Sequence, residues 1–196
     1  MLRFKPLRRL AAAVAIIAGV VATTSMSGEP AAASPAGGYV AGAGDPSDDL
    51  NDEATLCNGC AYSRSNYAGV WQMILSVDYG RTTDGRDVGG LPGDHIDCSF
   101  GPETAAYTAN WQRYHGVPAT GRLDGPTRAA AASRLSAAEG DGQGGDYLWF
   151  PADSDNTLQI HRWGASANYK WDVESAWIPG DWHGASYRYV NFQLCT

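Results

Sequence analysis

The sequence predicts an α+β protein in which a small three-helix bundle is followed by a small antiparallel β module, stapled by disulfide bonds. Three observations predict it. Short helical segments with marked ends fill the middle of the chain, aromatic residues alternate with polar ones near its C terminus, and four cysteines follow an export leader. We expect five segments: a signal peptide over 1–33, a flexible leader over 34–56, a helical domain over 57–139, a linker over 140–145 and the β module over 146–196.

The most clearly marked helix begins at Pro102 and ends before Gly116. Proline suits the first helical position, where its missing N–H costs nothing, and Glu103 complements the positive end of the helix dipole. Gly116 allows the left-handed backbone of a helix C-terminus, and Pro118 blocks continuation. Apolar residues between these ends recur at helical spacing and predict an aromatic inner face of Tyr107, Trp111 and Tyr114.

Two other segments predict the remaining helices. After the turn at 121–127, Gly-Pro leads into an Ala-rich helix that we expect to end near Leu135 or Ala138. Helices of this length are marginal alone in water, so the three must pack together. The first helix, over 67–77, carries Val70, Ile74 and Val77 on one face. Trp71 and Leu75 lie on a neighbouring face.

The helical segments carry a motif with several parts. Its residues are Trp71-Gln72…Leu75…Gly80, then Asp97-x-x-Phe100-Gly101-Pro102-Glu103-Thr104, then Trp111-Gln112…His115-Gly116-Val117…Thr120-Gly121…Gly125-Pro126-Thr127. This pattern resembles the peptidoglycan-binding-like domain family, a three-helix module attached to many bacterial cell-wall hydrolases. The resemblance covers about residues 64–138.

The resemblance implies that the helical domain binds peptidoglycan, through its glycan or its stem peptide, near the turn at 97–104 and the start of the second helix. Trp111 and Gln112 have a second interpretation, as residues of the helical core, and we favour it. The candidate ligand-binding residues within the motif are Asp97, Phe100, Thr104, Trp111 and Gln112.

The chain departs from the family pattern in three places. Cys98 replaces the usual Gly after Asp97, the second Gly-Pro-Thr is one residue shorter than its counterpart in the family, and about ten extra residues, Thr82 to Gly93, expand the first loop. The expansion lies in the turn expected to border a ligand, so it bears on which ligand is bound.

The N-terminal residues have the pattern of a secretory signal, with a basic start, an apolar run from Leu10 to Ala22 and small residues at 31–33. The run is short for a membrane span, which needs about 20 residues, although a retained anchor is the alternative. Without residues 1–33 the chain has ten basic and twenty acidic residues, a net charge of −10. An acidic, exported protein is a poor partner for nucleic acid or an anionic membrane, and a neutral or zwitterionic ligand fits better.

Four cysteines in an exported chain predict two disulfides, for which three pairings are possible. We prefer a pairing in which Cys57 or Cys60 bonds Cys98 while the other bonds Cys195, fastening both ends to the helical domain. The Cys57-x-x-Cys60 spacing also occurs in redox and metal sites, but no thioredoxin-like strand–helix unit surrounds it, and the four cysteines are not spaced as a pair of zinc knuckles.

The C-terminal region predicts an antiparallel meander of four or five short strands, because aromatic and polar residues alternate at 158–160, at 169–171 and most clearly at 187–194. Five of the seven tryptophans lie in it, and they have two interpretations. They either pack as the core of a small β unit, which we favour, or form a platform for sugar rings. Trp182, in an expected loop, is the best candidate for ligand contact.

The sequence gives little support for an enzyme or a cofactor. His95, His115, His161 and His183 are scattered rather than clustered, which disfavours a zinc peptidase. His183-Gly184-Ala185 and Cys195 are weakly similar to L,D-transpeptidases, but Ser-x-Gly before the cysteine is missing. We therefore expect a monomeric, secreted, non-catalytic peptidoglycan-binding protein. The alternatives are a small cell-wall hydrolase that uses carboxylates of the C-terminal region, and a protein-interaction or inhibitor module.

Overall fold

The structure is a computed structural model, and it describes residues 38–42, 49–51, 53–140, 146–150, 158–163, 169–174, 185–188, 190 and 195. The fold is mixed α+β, as predicted, and these residues form three α-helices and two antiparallel sheets. The predicted signal peptide and most of the predicted linker lie outside the described residues. Among those described, no helix has both the length and the apolar character needed to cross a membrane.

Helix α1, Asn66–Val77, is the centre of the fold, and every residue in it except Ser76 is buried. A helix buried on all sides must be covered by other elements around its circumference. Its N-cap is Ser65, whose hydroxyl oxygen accepts a hydrogen bond from the Ala68 N–H, and its C-cap is Asp78. The sequence predicted this helix and two neighbouring apolar faces on it, but not that the rest of its circumference is buried as well.

Helix α2, Pro102–Tyr114, has the predicted ends: Pro102 is its first residue and Gly116 after it has φ +71°. The predicted aromatic inner face was wrong for two of its three members, because Tyr107 and Tyr114 are only half-buried. The buried face consists of Thr104, Thr108, Trp111 and Gln112. Threonine can line this face because its hydroxyl finds a partner: Thr108 donates to the Thr104 carbonyl at 2.7 Å.

Helix α3, Gly125–Ala132, is shorter than predicted. Instead of continuing to Leu135 or Ala138, the chain turns after Ala132 and enters strand β4, Ser136–Gly140. The alanines of this segment favour a helix, but pairing with the next strand outweighs that local preference. Gly140, expected to open a linker, is also part of β4.

The larger sheet has five antiparallel strands in the order β1-β7-β6-β5-β4. An antiparallel meander was predicted within 146–196, and β6 and β7 contain its expected segments 158–160 and 169–171, whereas β4 comes from the predicted helical domain and was not predicted. The edge strand β1, which pairs with β7, comes from the segment predicted to be a flexible leader. Besides β4, the strands are β1, Ala41–Gly42; β5, Asp146–Phe150; β6, Leu158–Trp163; and β7, Tyr169–Glu174.

The smaller sheet is a hairpin of β2, Gly80–Arg81, and β3, Asp87–Val88, formed by the expanded first loop. A short 3-10 helix, Gly93–His95, follows it. The hairpin packs closely: a Cβ atom at Gly90 would lie 2.1 Å from the Leu75 carbonyl oxygen, so only glycine fits there. Gly90 and the buried Leu91 therefore lie against the end of α1, where the Leu91 N–H donates to the Leu75 carbonyl at 3.0 Å, whereas residues 83–87 of the hairpin are exposed.

Two further predictions fail near the chain ends. In the predicted leader, Val40, Leu50 and Leu56 are fully or almost fully buried. In the predicted strand 187–194, Tyr187 and Arg188 are not in a strand, and most of its other residues lie outside the described part of the chain. The Ser186 hydroxyl accepts the Arg188 N–H at 3.0 Å, a side-chain turn that competes with strand pairing.

One hydrophobic core joins the two predicted modules. It contains Trp71 and Trp111, whose rings meet edge to face at 5.3 Å, together with Phe150 and Ile160 from the larger sheet. Tyr187 also belongs to it, contacting Tyr67 of α1 at 5.1 Å between ring centroids. The helices and the sheet thus bury apolar surface against each other.

Candidate ligand-binding site

The turn that leads into α2, residues 97–104, is held from beneath by a single buried glutamine. The Gln72 amide nitrogen donates to Asp97 Oδ1 at 2.8 Å, the Ser99 carbonyl at 3.1 Å and Thr104 Oγ1 at 3.0 Å. Its amide oxygen accepts the backbone N–H groups of Asp97 at 3.2 Å and Cys98 at 2.8 Å. We call residues 97–104 with this anchor the Gln72 turn.

The same arrangement recurs forty residues later. The Gln112 amide nitrogen donates to the Arg122 carbonyl at 2.8 Å and to the hydroxyls of Thr120 and Thr127 at 3.1 and 2.6 Å. Its oxygen accepts the Gly121 N–H at 2.9 Å. We call residues 120–127 with this anchor the Gln112 turn. Each glutamine follows a buried tryptophan, and each turn leads through Gly-Pro into a helix.

A buried carboxylate links the two glutamine-bearing helices. Asp78, directly after α1, accepts hydrogen bonds from Trp111 Nε1 at 2.8 Å and His115 Nε2 at 3.0 Å, and Arg134 Nη2 lies 3.5 Å from it. Burial alone would raise the pKa of Asp78, but these hydrogen bonds and the charges of His115 and Arg134 outweigh burial and lower the pKa below its ordinary value. The carboxylate is therefore a charged structural link.

The predicted site residues divide by burial. The side chains of Phe100, Thr104, Trp111 and Gln112 lie in the interior, each at most 3% exposed, so they shape the site from within. Asp97 is exposed, although its carboxylate already accepts Gln72 and the Ser99 N–H. Trp182 lies outside the described residues. A ligand at this turn would therefore meet Asp97 and its exposed neighbours.

We call this small polar surface the α2 entry surface: the exposed Asp97, Pro102 and Glu103 with the partly exposed Ser99 and Gly101. Beside it, His95 Nδ1 lies 2.8 Å from Glu103 Oε1, and this hydrogen bond, together with the Glu103 charge, raises the pKa of His95. The surface presents two carboxylates and backbone groups rather than a pocket, which suits hydrogen bonding to hydroxyl or amide groups.

A crevice elsewhere in the described part of the fold is too small to hold a sugar ring. It lies between the hairpin and α2, is lined partly by Tyr79, Tyr107 and Trp111, and encloses essentially no space that a water molecule could occupy. Ligand pockets usually have about 300–1,000 Å³. Within the described segments, no three His, Cys, Asp or Glu side chains come together as a metal site would require.

Sequence reasoning missed three residues that position the turns: Gln72 as a counterpart of Gln112, the Asp78 link and Arg128. Arg128 is 8% exposed and donates to the carbonyls of Leu50, Asn51 and Leu123. The repeated Trp-Gln pair was a visible signal for Gln72. An aspartate or an arginine at a helix end gives no such signal, because it is usually exposed.

Comparisons of this chain with models of protein families, with curated proteins and with solved structures find no match. The motif and the geometry described above are therefore the grounds on which a function is inferred.

Proposed function

We propose that this is a secreted, non-catalytic protein that binds peptidoglycan through the α2 entry surface. The observation that carries the proposal is the fixed Gln72 turn, which presents the exposed side chains of Asp97, Pro102 and Glu103. Five hydrogen bonds with the buried Gln72 hold this turn, three through its amide nitrogen and two through its amide oxygen. A surface fixed before binding loses little entropy when a ligand arrives, so weak polar contacts suffice.

The motif of the helical region supports the same ligand. The Trp-Gln pairs and the two turns that lead into helices are the parts of the sequence that resemble the peptidoglycan-binding-like family. In this chain their buried members organise the turns, and the exposed members Pro102 and Glu103 are left for contact. Peptidoglycan offers sugar hydroxyls, amides and amines to the two carboxylates of the surface.

Export is part of the proposal. The leader over 1–33 has the pattern of a signal peptide, and the two disulfides are of the kind that persist in an oxidising compartment. We expect the mature chain to be extracellular or bound to the cell wall.

The test is sedimentation of the mature protein with purified insoluble peptidoglycan, with both fractions assayed. We expect protein in the pellet and no released sugars or peptides. Insoluble chitin, a glycan without stem peptides, is the matched ligand control and shows whether the glycan alone is enough. Soluble fragments would instead support the hydrolase alternative. Protein left in the supernatant would contradict the proposal and favour a protein partner.

A further inference from the structure

The two disulfides occupy different environments. Cys57 and Cys60 are bonded to each other across a four-residue turn, both are partly exposed, and the intervening Asn58 and Gly59 are exposed. Cys98 is fully buried and bonds Cys195, 97 residues away. This corrects the preferred pairing, in which each N-terminal cysteine bonded a distant one. The correction has a physical reason: a tight turn brings Cys57 and Cys60 to a Cα–Cα distance of 5.1 Å.

The turn around Cys57 and Cys60 has backbone support of its own. The Cys60 N–H donates to the Cys57 carbonyl at 3.0 Å, and Gly59 takes the left-handed conformation that the turn requires, with φ +79°. These features are made by the backbone rather than by the sulfur–sulfur bond, and we expect them to keep the two cysteines close when that bond is opened.

The flanks of the turn are also fixed. On one side Leu56 exchanges two backbone hydrogen bonds with Leu123, at 2.9 and 3.3 Å. On the other side the Ser63 carbonyl accepts the Phe100 N–H at 2.6 Å. Backbone hydrogen bonds that do not involve the sulfurs therefore attach the segment to both glutamine turns.

From this geometry we propose that Cys57–Cys60 is a thiol–disulfide exchange site on the protein surface, which an external dithiol opens and an external disulfide closes. This inference does not rest on the proposed peptidoglycan binding. The partner class is a dithiol compound or protein of the extracellular space, because a reaction at these sulfurs needs a thiolate that can reach them from solvent.

The exchange balances as follows. A thiolate of the dithiol attacks one sulfur of the pair, forms a mixed disulfide and releases the other cysteine as a thiolate. The second thiolate of the partner then attacks its own sulfur in the mixed disulfide, closes its own disulfide and releases the first cysteine. The partner is oxidised by two electrons, Cys57 and Cys60 are reduced, and the two thiol protons of the partner pass to them through solvent.

The test is a graded reduction of the folded, mature protein with dithiothreitol, followed by alkylation and peptide mapping by mass spectrometry. We expect Cys57 and Cys60 to be labelled at a dithiothreitol concentration at least about tenfold lower than Cys98 and Cys195 require. Near-UV and far-UV circular dichroism should not change at that concentration, and oxidised glutathione should restore the unlabelled form. Labelling of Cys98 at the same or a lower concentration would overturn the proposal.

The double variant Cys57→Ala/Cys60→Ala is the matched control. It should give the circular dichroism of the wild type and no labelled thiol at the lower concentration. Loss of its folded spectrum would contradict the independence of the turn from its disulfide. The single variant Cys60→Ala should form a glutathione adduct on Cys57 when treated with oxidised glutathione, and an absence of adduct would show that Cys57 is not open to exchange.

Discussion

The Gln72 turn and the Gln112 turn are built from the same parts but are secured differently. In both, a buried glutamine binds backbone and threonine groups of a turn that leads into a helix. The Gln112 turn is completed locally: Asp124 accepts the Thr127 N–H and caps α3. The Gln72 turn has Gly101 at the corresponding place, with no side-chain cap.

The Gln72 turn is instead secured by distant parts of the chain. Cys98 bonds Cys195, the Cys98 carbonyl accepts the Ser65 N–H at 3.0 Å, and Phe100 donates to Ser63. Cys98 also has φ +55°, an unfavourable conformation for a residue with a side chain, which its surroundings must hold in place. Both turns have backbone contacts with distant segments, but the turn proposed to bind ligand depends on a long-range disulfide where its twin has a local side-chain cap.

The largest expected effect comes from removing the long-range disulfide. By chain entropy, Cys98–Cys195 contributes about 5 kcal/mol and the four-residue Cys57–Cys60 loop about 2 kcal/mol. Cys98→Ala/Cys195→Ala should therefore lower the free energy of unfolding more than Cys57→Ala/Cys60→Ala does. Urea unfolding of both double variants checks this order, and equal losses would contradict the account.

The buried carboxylate of Asp78 links α1 and α2, the helices that carry Gln72 and Gln112. Asp78→Asn should lower the free energy of unfolding by about 4 kcal/mol at neutral pH, since it leaves His115 and Arg134 facing a neutral group. Because folding lowers the pKa of Asp78 below its ordinary value, the stabilisation is present above that value and is lost as pH falls through the folded-state pKa. The difference in free energy of unfolding between wild type and Asp78→Asn should therefore become smaller in acid. Urea unfolding at several pH values measures this, and a difference that does not change with pH would contradict it.

The two glutamines give a matched pair. Gln72→Ala and Gln112→Ala should each lower the free energy of unfolding by about 3 kcal/mol, since each leaves buried donors and acceptors without a partner. When Cys98–Cys195 is absent, the cost of Gln72→Ala should change because both secure the same turn, while the cost of Gln112→Ala should not. Double-mutant cycles that combine each glutamine variant with Cys98→Ala/Cys195→Ala measure this. If the losses in free energy of unfolding are additive for both glutamines, the proposed difference between the turns is wrong.

The helix caps give the smallest effects, with opposite signs. Asp124→Ala should lower the free energy of unfolding by about 1 kcal/mol, because it removes the N-cap side chain of α3. Gly101→Ser should stabilise by a few tenths of a kcal/mol, because Gly101 has the extended conformation of a cap and its Cβ would meet only the Ser99 carbonyl, at 4.0 Å. Thermal unfolding of the two variants checks both signs.

Local signals in the sequence predicted the helix beginnings and the α2 end, because Pro102, Gly116 and Gly125-Pro126 act through their own backbone preferences. The end of α3 could not be predicted in this way, since β4 forms only when β5 is present to pair with it. The buried face of α2 was misjudged because the burial of Thr104 and Thr108 depends on partners in α1, including Trp71, which donates to Thr108 at 2.9 Å.

The candidate site was predicted only in part. The motif pointed to the turn before α2, but four of its five candidate residues are buried. Which side chains of that turn stay exposed depends on the buried Gln72 anchor, which was not among the candidates. Asp78 could not be recognised because the hairpin that covers it comes from the loop expansion. Its partner Trp111 lies 33 residues away, and no sequence pattern links the two.

The central claim is that the exposed face of the Gln72 turn binds peptidoglycan and that of the Gln112 turn does not. The most direct measurement is sedimentation with purified peptidoglycan of two variants, Glu103→Arg in the first turn and Arg122→Glu in the second. Both side chains are exposed, so both variants should fold. The account predicts binding at least about tenfold weaker for Glu103→Arg, a loss of about 1.4 kcal/mol, and unchanged binding for Arg122→Glu. Unchanged binding of Glu103→Arg, or an equal loss in both variants, would contradict it.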